Sequence, residues 1–98
     1  MKRLIFSVLL VGLHAGTIAA QSLPDHSTFD RVLEQSVRGD LVDYAALAAS
    51  RTDLDFYLEQ LGRASPSALG VASRDARLAF WINAYNACAL RLVLEAGG

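Results

Sequence analysis

The sequence predicts a mainly α-helical protein: a signal-peptide helix, then three or four short amphipathic helices around a long apolar C-terminal helix at about residues 74–96. Apolar residues recur at spacings of three and four in segments that begin with helix-capping residues. Residues 74–96 contain no Gly or Pro, the residues that interrupt helices. Only the stretch from Leu41 to Tyr44 is a plausible extended segment.

Composition excludes several classes of protein. The chain has 98 residues, a formal net charge of -1 and 53% hydrophobic residues, so we expect one small folded domain rather than a disordered tail. The near-neutral charge argues against nucleic-acid binding. The single cysteine excludes an internal disulfide framework and any multi-cysteine metal site.

The N-terminus has the layout of a secretory signal. Lys2 and Arg3 precede an apolar run from Leu4 to Leu13, and small residues follow as far as Ala20. The run is too short to span a bilayer, so we expect cleavage near Ala20 and no stable membrane anchor afterwards, with a retained anchor as the less favoured alternative. This predicts a periplasmic or secreted protein of net charge -3 after cleavage.

After the signal, residues 21–26 are predicted to be a flexible leader, and residues 27–98 the folded part. Helices are predicted at about 28–38, ended by Gly39, and at 52–62, with short helices between and after them. The predicted capping residues are small and polar: Ser27, Asp43, Thr52, Ser65 and Ser73. The last helix is apolar on nearly every side, a pattern typical of a central helix that its neighbours bury.

Isolated reactive residues are weak candidates for a site. His26 is predicted to be a solvated surface histidine, and Cys88 a small buried residue without the positive surroundings that activate a thiol. Asp53 and Asp55 suit the first turn of a helix better than a metal site. We therefore expect no metal and no cofactor, and the catalytic residues, if any, are unknown.

One string in the last helix is chemically distinctive: Phe80, Trp81, Asn83, Tyr85 and Asn86, within the sequence FWINAYNA. Asn83 and Asn86 are three residues apart and share a helix face, and Trp81 and Tyr85 share the adjoining one. The amides either tie loops to a core helix or line a cleft in which they orient a ligand or a catalytic group. Spacing alone favours the structural role.

The string resembles the signature of the DUF547 family, a domain of unknown function. The resemblance extends upstream to residues 26–30, 42–47 and 54–61, and residues 74–79 lead into the signature in the manner of that family. It implies a longer domain of α+β type, with this signature in its N-terminal part. The family commonly has Leu where Cys88 stands, which argues against a shared catalytic role for that residue.

The resemblance therefore implies that this chain is the N-terminal portion of a DUF547-like domain, with further His- and Cys-containing motifs beyond residue 98. We expect exposed apolar surface around Tyr85 and Leu92, because three short helices cannot cover the last helix on every side. Such a surface favours self-association. No partner is identifiable from the sequence.

Two functions from different classes remain open. The first is an exported interaction or structural module of the cell envelope. The second is the front half of a hydrolase or transferase of papain- or transglutaminase-like character, an analogy at the level of the fold. In the second case we do not expect this chain alone to be catalytically competent.

Overall fold

The computed structural model describes residues 23–97; the predicted signal peptide lies outside the described residues. The helices and strands follow in the order α1 (Ser27–Ser36), β1 (Val37–Arg38), β2 (Leu41–Val42), α2 (Tyr44–Ala49), α3 (Arg51–Gly62), α4 (Pro66–Val71) and α5 (Arg74–Glu95). The prediction of a mainly helical protein is confirmed.

Three of the predicted helix caps are present. Asp43 accepts a hydrogen bond from the backbone N–H of Ala46 at 3.1 Å and begins α2. Ser65 and Ser73 accept hydrogen bonds from the N–H groups three residues later, each at 3.0 Å, and begin α4 and α5. These side chains satisfy donors that a helix leaves unpaired in its first turn, so they fix where α2, α4 and α5 start.

Two capping predictions are wrong. Ser27 is the first residue of α1 rather than its cap, and its backbone N–H donates to the carboxylate of Asp25 at 2.9 Å. Thr52 lies inside α3, which begins after Ser50. The Ser50 hydroxyl donates to the side-chain oxygen of Gln35 at 2.9 Å, so a contact with a distant helix replaces a local cap.

The first helix is shorter than predicted, because it is followed by a small hairpin. Strand β1 pairs antiparallel with β2, with Val37 opposite Val42. Gly39 has a φ of 64° in the turn between them, a left-handed conformation that glycine adopts without steric cost. Gly39 therefore lies in the turn of a hairpin, three residues beyond the end of the helix, and does not end the helix itself.

The core lies where α1, α2, α3 and α5 meet. It consists of eight buried apolar residues: Phe29, Val32, Leu47, Leu54, Tyr57, Leu61, Phe80 and Ala87. The positions in α1 and α3 follow the predicted spacing of three and four residues. Leu23, within the predicted leader, also packs against this core.

Helix α5 is covered on one side only. Among its residues, Phe80 and Ala87 are buried against α2 and α3, while several large apolar side chains face outward. The expectation of exposed apolar surface at Tyr85 and Leu92 is confirmed. The helix therefore presents an inner face to the core and an outer face to solvent in the part of the chain that the structure describes.

Candidate functional site

The five signature residues point to different sides of α5. Phe80 is buried on the inner face and meets the ring of Trp81 edge to face, with ring centroids 4.9 Å apart. Asn83 is half-buried, whereas Trp81, Tyr85 and Asn86 are exposed. A helix turns by about 100° per residue, so the residues of one short string lie on both the inner and the outer face of α5. The structure does not bring Asn83 and Asn86 together in one cleft.

Asn83 belongs to a small polar cluster that we define as His26, Tyr57 and Asn83. The Tyr57 hydroxyl lies 2.6 Å from Nδ1 of His26, and the side-chain amide of Asn83 acts to lower the pKa of the same phenol. When the imidazole carries its proton on Nε2, the phenol O–H donates to Nδ1. The prediction of a solvated His26 is wrong, because the phenol holds this residue against α3.

The Tyr57 ring is the centre of this cluster. It is fully buried and stacks on Phe29, with centroids 4.9 Å apart and planes 4° from parallel. The ring therefore joins α1 to α3, while its hydroxyl binds the residue just before α1. A buried tyrosine commonly pairs its hydroxyl in this way, because an unpaired polar group in a core destabilises the fold.

Burial raises the pKa of Tyr57 from 10.0 to about 12. Loss of water around the phenolate is the main cause, the amide of Asn83 opposes it, and the negative charge of Asp30 adds to it. The phenol is therefore neutral throughout the physiological range. It serves as a hydrogen-bonding group in this setting and is a poor general base.

The raised pKa predicts a loss of stability at high pH. The folded state favours the neutral phenol, so the stabilisation is complete below pH 10 and disappears as the pH rises through about 12. The shift corresponds to about 2 to 3 kcal/mol of unfolding free energy. Urea denaturation at a series of pH values should show this loss in the wild type.

The Tyr57→Phe variant is the control for this prediction, since it retains the ring and lacks the ionisable group. We expect its unfolding free energy to be lower than that of the wild type near neutral pH and to vary less between pH 10 and pH 12. An equal decline in both proteins would assign the high-pH transition to other groups.

A second feature is an apolar stripe on the outer face of α5. We call it the outer stripe and define it as Leu78, Trp81, Tyr85, Cys88 and Leu92. Its four large apolar side chains are 50%, 58%, 77% and 65% exposed, in chain order. Ile82 lies beside it and is also half exposed. Single exposed apolar residues are common on protein surfaces, but a continuous row marks a contact surface.

Cys88 does not occupy the predicted position in the core. It is exposed and borders an open cavity of about 390 Å³, which is lined by Leu58, Cys88, Arg91, Leu92 and Glu95. Its neighbour Ala87 faces the core, and one residue of helical rotation moves the thiol to the outer side. The neighbouring residues in the sequence are apolar on nearly every side of the helix, so they do not indicate which side Cys88 faces.

Four charged side chains hold the C-terminal end of α5 against the start of α3. Arg51 lies 3.5 Å from both Asp55 and Glu95, and Arg91 lies 3.3 Å from Glu95 and 3.9 Å from Asp55. These side chains are nearly half exposed, so each pair contributes about 1 kcal/mol or less. The group is neutral overall and helps to fix the angle at which the outer stripe is presented.

The two carboxylates considered for a metal site lie in ordinary helix-surface positions. Within residues 23–97, no three His, Cys, Asp or Glu side chains gather at metal-binding distance. Asp55 instead takes part in the ion pairs with Arg51 and Arg91.

Sequence reasoning missed Tyr57 and the role of His26. Its spacing makes Tyr57 one member of an apolar helical row, whereas its hydroxyl requires a partner once the residue is buried. That requirement was the available signal, but the partner is 31 residues away in the chain, and spacing rules do not reach that far.

The chain was compared with known proteins by sequence and by structure. No family model, no curated protein and no solved structure matches it at a significant level.

Proposed function

We propose that this chain is an exported interaction module of DUF547 type, whose working surface is the outer stripe of α5. The observation that carries the proposal is the row of large exposed apolar side chains at Leu78, Trp81, Tyr85 and Leu92. Leaving such a row in water is unfavourable, and burying it against a partner removes that cost.

The rest of the fold supports a binding role for this surface. The inner face of α5 is anchored by Phe80 and Ala87, and its first turn is capped by Ser73. A surface that lies on a capped, packed helix needs little ordering when it binds. Trp81 and Tyr85 also combine large apolar area with a polar tip, a property typical of residues that dominate interfaces.

Export is the second part of the proposal and rests on the layout of residues 1–20. None of the helices within residues 23–97 has the length and apolarity needed to cross a membrane. We expect the mature chain to begin at Ala20 or Gln21, because cleavage after Ala19 and cleavage after Ala20 fit the sequence equally well. Mass spectrometry of the protein recovered from a secreting bacterial host would give that N-terminus. Recovery of the chain with Met1 to Ala20 still attached, in the cytoplasm, would contradict export.

Cys88 provides a direct test of the interaction, because it lies within the outer stripe and is the chain's single cysteine. In the cells that make the protein, a covered stripe should protect Cys88 from alkylation by a maleimide. The matched control is Leu41→Cys in a Cys88→Ser background, which places a thiol at an exposed position on β2. If Cys88 reacts as fast as the control thiol, the stripe is uncovered and the proposal fails.

The alternative is the front part of a papain- or transglutaminase-like enzyme, and one observation favours it. The half-buried Asn83 acts to lower the pKa of the Tyr57 phenol, and this phenol pairs with His26, so the signature string contributes to a polar cluster. Cys88 lies on the outer stripe and not in this cluster, so the alternative requires a nucleophile from outside the described residues. Hydrolysis of peptide or ester substrates that is lost in Asn83→Ala and retained in Tyr85→Lys would replace the interaction module with this function.

A further inference from the structure

We propose that the partner of the outer stripe is the outer stripe of a second copy, with the two α5 helices antiparallel and the two-fold axis at Tyr85. This inference rests on the proposed function and specifies its partner. Three features of α5 carry it: the spacing of the stripe, the order of large and small residues along it, and the charges at its ends.

The spacing is that of a helix that packs along another helix. The stripe residues Leu78, Trp81, Tyr85, Cys88 and Leu92 are separated by steps of three, four, three and four. That alternation gives a mean period of 3.5 residues, which keeps one seam facing a partner helix in coiled-coil packing. A globular helix that only covers a core does not need this regularity on its outer side.

The order of side-chain sizes favours an antiparallel pair. With the axis at Tyr85, Leu78 lies opposite the second copy's Leu92, and Trp81 lies opposite the second copy's Ala89, the residue after Cys88. The largest side chain of the stripe thus meets a small side chain. A parallel pair would crowd the two tryptophans against each other and leave an unfilled space between the two cysteines. Both defects would destabilise the pair.

Charges at the ends of α5 favour the same direction. Arg74 continues the seam one step before Leu78, and Glu95 continues it one step after Leu92. Glu95 pairs with Arg51 and Arg91 of its own chain and stays nearly half exposed, and an antiparallel pair brings the second copy's Arg74 to the same carboxylate. A parallel pair would instead place like charges together. The helix dipoles also oppose each other in the antiparallel arrangement.

The exposed area is sufficient for a reversible dimer. From their exposed fractions, Leu78, Trp81, Ile82, Tyr85 and Leu92 offer together roughly 600 Å² per copy. A specific interface of standard size buries about 800 Å² per partner, so the stripe and its flanks approach that size. We expect association that depends on concentration, because a contact of this size does not give an obligate dimer.

Sedimentation analysis of the processed chain recovered from the producing cells tests the second copy as partner. We expect the mean mass to rise from that of a monomer to that of a dimer with concentration, with no larger species. A monomer at every concentration overturns the inference, even where Cys88 is protected in cells. In that event the interaction module stands with a different partner, so the two failures are distinguishable.

Disulfide cross-linking tests the direction. Tyr85→Cys in a Cys88→Ser background places one thiol of each copy at the two-fold axis, and we expect rapid oxidation to a covalent dimer. In the wild type, each Cys88 lies three residues from Tyr85, and the two copies of Cys88 lie on opposite sides of the two-fold axis. They are about 9 Å apart along the helices, which is too far for a disulfide. Rapid cross-linking of wild-type Cys88 with none at position 85 would overturn the antiparallel pair. Circular dichroism of each variant checks that the substitutions leave the helical content unchanged.

Discussion

Tyr57→Ala is expected to unfold the chain at physiological temperature. The substitution removes a fully buried ring that stacks on Phe29, and it removes the hydroxyl partner of His26. Truncation of a buried aromatic residue costs about 3 to 5 kcal/mol. A domain of this size has a free energy of unfolding of roughly 5 kcal/mol, so the loss is comparable with the whole stability.

The measurement is urea denaturation followed by far-ultraviolet circular dichroism. The matched control is Phe56→Ala, since Phe56 is the adjacent aromatic residue of α3 and is about half exposed. We expect the control to lose no more than about 1 to 2 kcal/mol. If the two substitutions cost the same, the stack and the polar cluster do not organise the core.

The His26→Ala variant provides a graded form of the same test, because it should still fold. It leaves the buried phenol of Tyr57 without its 2.6 Å partner, and we expect a loss of about 1 to 3 kcal/mol. In the Tyr57→Phe background the same His26→Ala change should cost less, because no hydroxyl remains to be paired. Equal costs in both backgrounds would show that the hydrogen bond contributes nothing measurable.

The second large effect is expected on association. Tyr85→Lys combined with Leu92→Lys places two charges in the outer stripe, where a partner would have to bury them without counter-ions. Because a buried unpaired charge costs several kcal/mol, the dimer should weaken by a factor of 100 or more, on the order of 3 kcal/mol. Both positions are exposed in the single copy, so its free energy of unfolding should change by less than about 1 kcal/mol.

A double variant at two other exposed apolar sites controls for surface charge. Leu41→Lys with Val71→Lys adds the same two charges on β2 and α4, where the side chains are also largely exposed. We expect this control to associate like the wild type. If both double variants dissociate equally, net charge rather than the outer stripe governs association.

Local rules predicted the helices well and their ends less well. Asp43, Ser65 and Ser73 act as predicted, because a cap depends on residues within one turn. The end of α1 was mistaken, because Val37 and Arg38 leave the helix to pair with a strand across a two-residue turn. The Ser50 hydroxyl donates a hydrogen bond to Gln35 of another helix and does not cap α3. This contact depends on how the helices pack, so the local sequence does not predict it.

The candidate site was only partly predictable, because some of its contacts join residues that are distant in the sequence. Spacing identified the signature string, and the expected exposure of Tyr85 and Leu92 is confirmed. It did not identify the pairing of His26 with Tyr57, which depends on how α1 and α3 meet. It also placed Cys88 in the core, since an all-apolar helix does not reveal in its sequence which side its neighbours cover.

The most direct test of the central claim, that the outer stripes of two copies pair with each other, is quenching of Trp81 fluorescence by acrylamide. Trp81 is the chain's single tryptophan and is more than half exposed in one copy. We predict weak quenching in the wild type at concentrations where it associates, and strong quenching on dilution and in the Tyr85→Lys, Leu92→Lys variant. Equally strong quenching in the wild type and the variant at every concentration would contradict the claim.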